Sequence, residues 1–328
     1  MAAQNGLRLR PRGEGHSTAG QAQVSDGVVV DMRGLDAVAV ANGHAVAQAG
    51  ARWSAVLATS LPLGLTPPVL TDYLELSVGG TLSVGGIGGM THRHGMQVDN
   101  VTALEVLTPD GTIHTCAPGS TLFDAVRGSH GEHGIILRAT LRLIPAPARV
   151  RRHKLRFTDL GSFLSAQRAL MAERRFDSLK GRVLADRTFE ISAVTYTNEI
   201  PTQPVDETEE RDYADFASRA ELEGAEKPHP WLNLFLPDTE VEQFLTDFLA
   251  SGDDVGPLGT TLAYPFDTRL ITAPEVRLPR SDVAFLVALL RTAESPASLT
   301  RMAAANEKWR QRTLEVGGRV YLDRSGTP

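Results

Sequence analysis

One histidine constrains this chain more than any other residue. His16 stands in Arg12-Gly13-Glu14-Gly15-His16-Ser17, with Gly20-Gln21 just beyond it. Glycine on both sides lets the backbone pass close to a bulky polar group, because no Cβ keeps it away. A histidine in so bare a setting is presented to a ligand rather than packed in a core. A second glycine-rich stretch follows: Thr71-Asp72-Tyr73-Leu74-Glu75-Leu76-Ser77-Val78-Gly79-Gly80-Thr81-Leu82-Ser83, then Val84-Gly85-Gly86-Ile87-Gly88-Gly89. Together the two stretches imply a large cofactor bound along loops, with His16 as its point of attachment.

The chain has 328 residues, enough for two domains and a substantial core. Its net charge of −6 argues against nucleic acid or an anionic membrane as the main partner. A single cysteine, Cys116, excludes an internal disulfide and a cysteine-rich metal site, and reads as a small buried hydrophobe. No run is long and apolar enough for a spanning helix, and residues 1–15 lack the apolar core of a signal peptide. A reduced, cytoplasmic protein is expected. Neither end carries a cap or a closing element, as in a piece of a longer protein.

Residues 27–32 and 37–42 read as short buried strands, after a strand-like run at Gly6–Pro11. A short helix over 50–58 carries Trp53. Residues 103–108 and 111–116 form a hairpin turned by Pro109-Asp110-Gly111, and a helix covers 122–127. Alternation then predicts a strand over 135–144. Pro145-Ala146-Pro147 marks the boundary between two domains, 1–147 and 148–328, where glycine thins out. In the second part, helices are predicted over 161–174, 239–250, 281–292 and 297–313, with a strand over 188–196. The acidic stretch 201–227 reads as a solvated loop and helix face.

His92, His94, His130 and His133 lack metal-ligand spacing and carboxylate partners, so no metal is expected. A lone loop histidine such as His16 would be weak support for a cofactor. Its company decides the reading. In order come Arg12-Gly13-Glu14-Gly15-His16-Ser17, Val28-Val29-Val30-Asp31-Met32, the Thr71–Ser83 block, Arg93-His94-Gly95, Gly131-x-x-Gly134-Ile135-Ile136 and Pro145-Ala146-Pro147. Further on stand Pro228-His229-Pro230-Trp231-Leu232-Asn233-Leu234-Phe235-Leu236-Pro237, Gly256-Pro257-Leu258 and Tyr264-Pro265. This succession closely resembles the cytokinin dehydrogenases, within the vanillyl-alcohol-oxidase family of FAD enzymes, and it covers nearly the whole chain.

The resemblance implies an α+β fold: a PCMH-type FAD-binding domain followed by a substrate domain of antiparallel sheet covered by helices. It implies FAD, attached covalently through His16, with Gly13, Gly15, Ser17 and Gln21 lining the cofactor loop. Ser77, Ser83, Ile87, Ile136 and Tyr321 would also contact FAD. The glycines suit that work, since a pyrophosphate needs N–H groups at close range. The family moves hydride from the side-chain carbon of an N6-substituted adenine to flavin N5, and the resulting imine hydrolyses to adenine and an aldehyde. Asp72 would sit desolvated against the flavin as general base and accept the proton from nitrogen; its competing role is a backbone cap or turn. Glu190, on Phe189–Tyr196, would face Asp72 if the strand register is right. Trp231 and Asn233 would line the substrate entrance, although a core tryptophan and a turn asparagine fit as well. Reoxidation would use O2 or another acceptor.

The chain also departs from the family. The βαβ segment ahead of the GxGHS loop and the closing Trp-x-x-His-Phe-Gly and Pro-Gly-Gln regions are not in this sequence. Gly131-Glu132-His133-Gly134 replaces Gly-Gln-aromatic-Gly, and Val84-Gly85-Gly86 replaces Asn-Ala-Gly. Two other readings therefore stay open: an oxidase of the same fold acting on an alcohol, aldose or lactone, and an inactive fragment unable to hold FAD.

Overall fold

The computed structural model describes residues 5–18, 20–184, 186–197, 204–218 and 226–322. The first part of the chain builds β1 (Arg8–Arg12), β2 (Gly27–Asp31), β3 (Val38–Ala41), β4 (His44–Gln48), α1 (Trp53–Ser60), β5 (Leu65–Thr66), α2 (Val78–Leu82) and α3 (Thr91–His94). It continues with β6 (Val101–Leu107), β7 (Ile113–Cys116), α4 (Thr121–Val126), β8 (Ile135–Arg142) and β9 (Ile144–Pro145). Strands β3-β4-β8-β6-β7 form one antiparallel sheet in that order. The hairpin between β6 and β7 turns through Gly111 at φ +88°, a left-handed conformation that glycine adopts without strain. Alternate residues of β4 and β8, including Ala45, Ala47, Ala139 and Leu141, are buried with Val56, Leu57, Leu82, Phe123 and Val126.

After Pro147 the chain forms β10 (Arg149–Phe157), α5 (Leu160–Glu173), β11 (Ser178–Val183), β12 (Phe189–Thr195), β13 (Glu207–Asp212) and α6 (Tyr213–Ala217). Then come β14 (Leu232–Pro237), α7 (Val241–Ala250), β15 (Thr260–Asp267), β16 (Val283–Leu290), α8 (Pro296–Glu315) and β17 (Arg319–Val320). These strands make one antiparallel sheet of eight, ordered β13-β10-β12-β11-β15-β16-β14-β17. Asp159 caps α5 by accepting from the Ser162 N–H, and Ser295, Pro296 and Ser298 start α8 with a capping box. The fold class is the α+β one expected: helices packed on two mainly antiparallel sheets, one in each part of the chain.

Strand alternation gives the large sheet two different faces. Phe285, Val287 and Leu289 of β16 pack with Phe163, Leu170, Phe244, Phe248 and Trp309 beneath the long helices. Ala284, Leu286 and Ala288 of the same strand join the core of the first part of the chain. Both faces of β16 are therefore covered. Its run Val-Ala-Phe-Leu-Val-Ala-Leu-Leu is a central strand, not the helix expected over 281–292. A short apolar run carries no periodicity that separates the two.

Two other expectations are corrected. Residues 27–31 form a strand, but Val28 and Val29 are exposed, because β2 pairs only with β1, in parallel, among the described residues. The acidic stretch contains β13, not a loop and helix face alone. Glu207 and Glu209 lie opposite Lys154 and Arg152 of β10, so opposite charges across the ladder settle the strand. Residues 201–203 and 219–225 of that stretch lie outside the described residues.

Candidate active site

A cleft runs between the loops of the first part and the face of the large sheet turned towards them, with an empty volume of about 1720 Å³ including its mouth. Its loop side begins where β1 ends. Glu14 is held by Arg52, with Nε–Oε1 at 3.0 Å, and Arg52 also reaches Glu75 at 3.0 Å. One arginine thus ties the histidine loop to the Thr71–Ser83 block. Gly13 has to be glycine: a Cβ there would lie 1.9 Å from Ser77 Oγ. Gly15 turns at φ +77°, which favours glycine again.

This geometry aims His16 into the cleft. Its ring meets Tyr73 edge-on at 4.8 Å between centroids. Desolvation in the cleft lowers its pKa, Glu14 opposes the shift, and the nearby His229 adds to it. The neutral imidazole, the form that can act as a nucleophile, is favoured.

Ser17, Gln21, Ser77, Ser83, Ile87 and Ile136 all line the same cleft with Gly13, Gly15 and His16. Ser77 is buried at the start of α2. Ser83 donates its hydroxyl to the Gly79 carbonyl at 2.7 Å, so its side chain shapes the loop first. Tyr321 comes from the other end of the chain. Its hydroxyl accepts from the Gly86 N–H at 2.7 Å, its own N–H donates to the Asn233 carbonyl at 2.9 Å, and its ring packs on Phe235. Burial pushes its pKa upward, so it stays a neutral phenol.

The opposite wall is apolar: Leu262, Tyr264, Leu286, Ala288 and Leu290. Trp231 and Asn233 stand beside it. Asn233 lies inside β14 opposite Ala288, which removes its reading as a turn residue. Trp231 is half-buried against His229 rather than a core residue. Tyr264 was not singled out from sequence as a site residue, yet it is buried between these elements with its pKa raised by burial and by the charge of Asp72.

Asp72 sits where the cleft meets a second cavity, and it lines both. It is not desolvated as expected: its side chain is 43% exposed and ion-paired to Lys180 Nζ on β11. The capping role is also set aside, since the carboxylate reaches across to the large sheet. Glu190 lies on the same sheet face as Lys180, because Lys180 pairs with Ser192 and Arg182 with Glu190 in the ladder. That settles the register in favour of the site face. However, Glu190 opens on the second cavity rather than the cleft, and both Arg182 (2.8 Å) and Arg156 (3.6 Å) hold its carboxylate. Lys180, Arg182 and the Arg52 clamp escaped the sequence reading, because each is an ordinary charge on a strand or helix edge until the partner is seen.

The cleft fits FAD. Glycine-lined loops with hydroxyl side chains suit phosphates, a flat apolar wall suits a ring system, and a neutral-favouring histidine lies within the lining. Fold and cleft define a two-part flavoprotein oxidoreductase. Residues 1–117 match the FAD binding domain family, and residues 213–324 match the family described as "Cytokinin dehydrogenase 1, FAD and cytokinin binding". The chain is 41% identical over 350 residues to an "Uncharacterized oxidoreductase ORF5 in fasciation locus" of Rhodococcoides fascians, covering 98% of this chain and 79% of that protein. It is 35% identical to Cytokinin dehydrogenase 6 of Oryza sativa subsp. japonica (91% of this chain, 71% of that protein). Against Cytokinin dehydrogenase 4 of Arabidopsis thaliana the identity is 32% (92% and 70%). The chain belongs to the cytokinin dehydrogenase family of FAD-dependent oxidoreductases.

Proposed function

We propose that the protein oxidises the CH–NH group of an N6-substituted adenine, with FAD attached through His16 and Asp72 as the proton acceptor. The carrying observation is convergence. His16, Asp72, Trp231, Asn233 and Tyr321, drawn from both halves of the chain, line one cleft. FAD, when bound, supplies the two-electron acceptor for hydride. The loop from Gly13 to Gln21, the Ser77–Ser83 turn, Ile87, Ile136 and Tyr321 would hold it. The division of labour falls at Pro145–Pro147, with cofactor contacts mainly before it and substrate contacts after it.

In this reading the apolar wall of Leu262, Tyr264 and Leu286 orients the purine and excludes water. As the substrate carbon gives up hydride, the nitrogen beside it gives up its proton to an Asp72 carboxylate oxygen, leaving a C=N bond. Lys180 fixes that carboxylate at the cleft edge. Water then adds to the imine carbon, and adenine and an aldehyde separate. Glu190 serves the same site as a charged wall of the adjoining cavity, held by its two arginines. The electron acceptor is O2 or a small-molecule oxidant.

The test is anaerobic mixing of the holoenzyme with N6-isopentenyladenine while flavin absorbance is followed. Rapid bleaching is expected, and Asp72→Asn should slow it by about 10²–10⁴-fold with flavin content retained. Bleaching by polyols or lactones, with none by the adenine, would replace this reading with the alcohol-oxidase one. Flavin that stays with acid-precipitated protein, and is lost from the pellet in His16→Ala, is the expected sign of covalent attachment.

A further inference from the structure

The backbone at His16 is held more firmly than its ring. Arg52 holds Glu14, two residues before it, at 3.0 Å, and Gly15 turns at φ +77°, so the loop is set up to the histidine itself. A working imidazole is ordinarily oriented by a hydrogen bond at one ring nitrogen, as His92 is at the Gly89 carbonyl. Among the described residues no hydrogen bond of that kind reaches His16. One ring does meet it. Tyr73 stands edge-on to the imidazole, with 4.8 Å between centroids and 61° between planes, a favourable arrangement for an aromatic pair.

Tyr73 is itself on rigid ground. The Thr71 hydroxyl donates to its carbonyl at 2.9 Å. The next residue, Leu74, is buried in the core, and its carbonyl accepts the Ser54 N–H at 3.0 Å. Asp72 and Tyr73 are consecutive and both line the cleft, Asp72 reaching Lys180 and Tyr73 reaching His16. One short loop thus sets the proposed proton acceptor and the proposed attachment residue together. The plane of the imidazole matters because the lone pair of its nitrogen lies in that plane. Rotation about the Cβ–Cγ bond swings the lone pair away from the carbon it has to meet, and small misplacements of reacting atoms are costly in rate.

We propose that Tyr73 is the positioning residue for covalent attachment of the cofactor: its ring sets the plane of His16, so that an imidazole nitrogen is presented to the flavin's ring methyl carbon. The proposal rests on the attachment through His16 proposed above. In that step one C–H bond of the methyl group and the imidazole N–H break and an N–C bond forms. The two electrons and two protons released pass to O2, giving hydrogen peroxide. Tyr73 exchanges nothing in this step; it holds the angle of approach.

The test follows attachment apart from turnover. Wild type, Tyr73→Phe, Tyr73→Leu and Tyr73→Ala are prepared from riboflavin-starved cells and given FAD in air. Samples are denatured in acid at intervals, and flavin fluorescence on the precipitated chain is compared with flavin released; total bound flavin is read beforehand from its visible absorbance. Tyr73→Phe keeps the edge contact and should attach flavin at the wild-type rate. Tyr73→Ala, and Tyr73→Leu, which fills the space without an aromatic ring, should bind a wild-type amount of flavin but attach it about ten-fold more slowly. Wild-type rates in both non-aromatic variants would overturn the proposal. So would equal losses in all three variants, which would place the role in the hydroxyl, and so would loss of bound flavin from both non-aromatic variants, which would make Tyr73 a wall of the cofactor site. Flavin released by acid from the wild type would refute attachment through His16 itself, a failure told apart from the others because it needs no variant.

Discussion

His92 couples the folding of this protein to pH, and its surroundings set the size of the effect. The residue lies on α3 and is buried, with Nδ1 2.9 Å from the Gly89 carbonyl and Nε2 3.0 Å from the Phe176 carbonyl in the second part of the chain. Desolvation dominates and lowers its pKa from 6.5 to about 4; the two carbonyls oppose the shift, and Arg93 and Arg174 assist it. A histidine whose native pKa lies below its unfolded value stays neutral when folded, while the unfolded chain takes up a proton. Stability is therefore complete above pH 6.5, falls as pH drops from there to about 4, and loses nothing more from this group below that. A difference of roughly 2.5 units at 1.36 kcal/mol each gives about 3 kcal/mol. Urea unfolding followed by tryptophan fluorescence at pH 7.5, 6, 5 and 4 measures this, with His92→Gln as reference. Carboxylate ion pairs weaken equally in both proteins, so the difference between the two curves isolates His92. The wild type should lose about 3 kcal/mol more than the variant across that range. Parallel curves would refute the argument, and would mean that the two carbonyls hold the ring protonated despite burial.

Two further substitutions probe the cleft. Gly13→Ala puts a methyl carbon where Ser77 Oγ now stands, 1.9 Å from the ideal Cβ position, so the histidine loop must move. The purified variant should carry less flavin by its 450 nm to 280 nm absorbance ratio, and wild-type content would contradict the assigned loop. Tyr321→Phe removes the acceptor of the Gly86 N–H, and loss of a buried partner should cost about 1–3 kcal/mol in urea unfolding. Unchanged stability there would mean that the tie between chain end and glycine turn contributes nothing.

Much of the fold was legible because its local signals agree. The Ser295-Pro296 start of α8, the alternation in β12 and the Pro-Asp-Gly turn before β7 each need only neighbouring residues to act. The failures share one cause. β16 and β13 take their structure from distant partners: β16 is apolar on both faces because one lies under helices and the other on the first core. β13 is acidic because β10 is basic. Neither fact is present within a window of the sequence.

The candidate site divides along the same line. Glycines and the histidine could be found in advance, since close backbone approach demands those residue types wherever the partner comes from. Asp72 could be found only as a residue, not as a contact. Its position is set by Lys180, and Lys180 in turn is set by the register of β11 against β12. That register sends residues 178, 180 and 182 of β11 to one face, and β15 continues the same face with Leu262 and Tyr264. The sheet face therefore changes character between β11 and β15, from charged to apolar, and Asp72 stands on the boundary. A purine lying on the apolar half, as proposed above, would bring its N6 nitrogen to that boundary. The carboxylate proposed to take the proton stands there, which is where the nitrogen that loses it has to be.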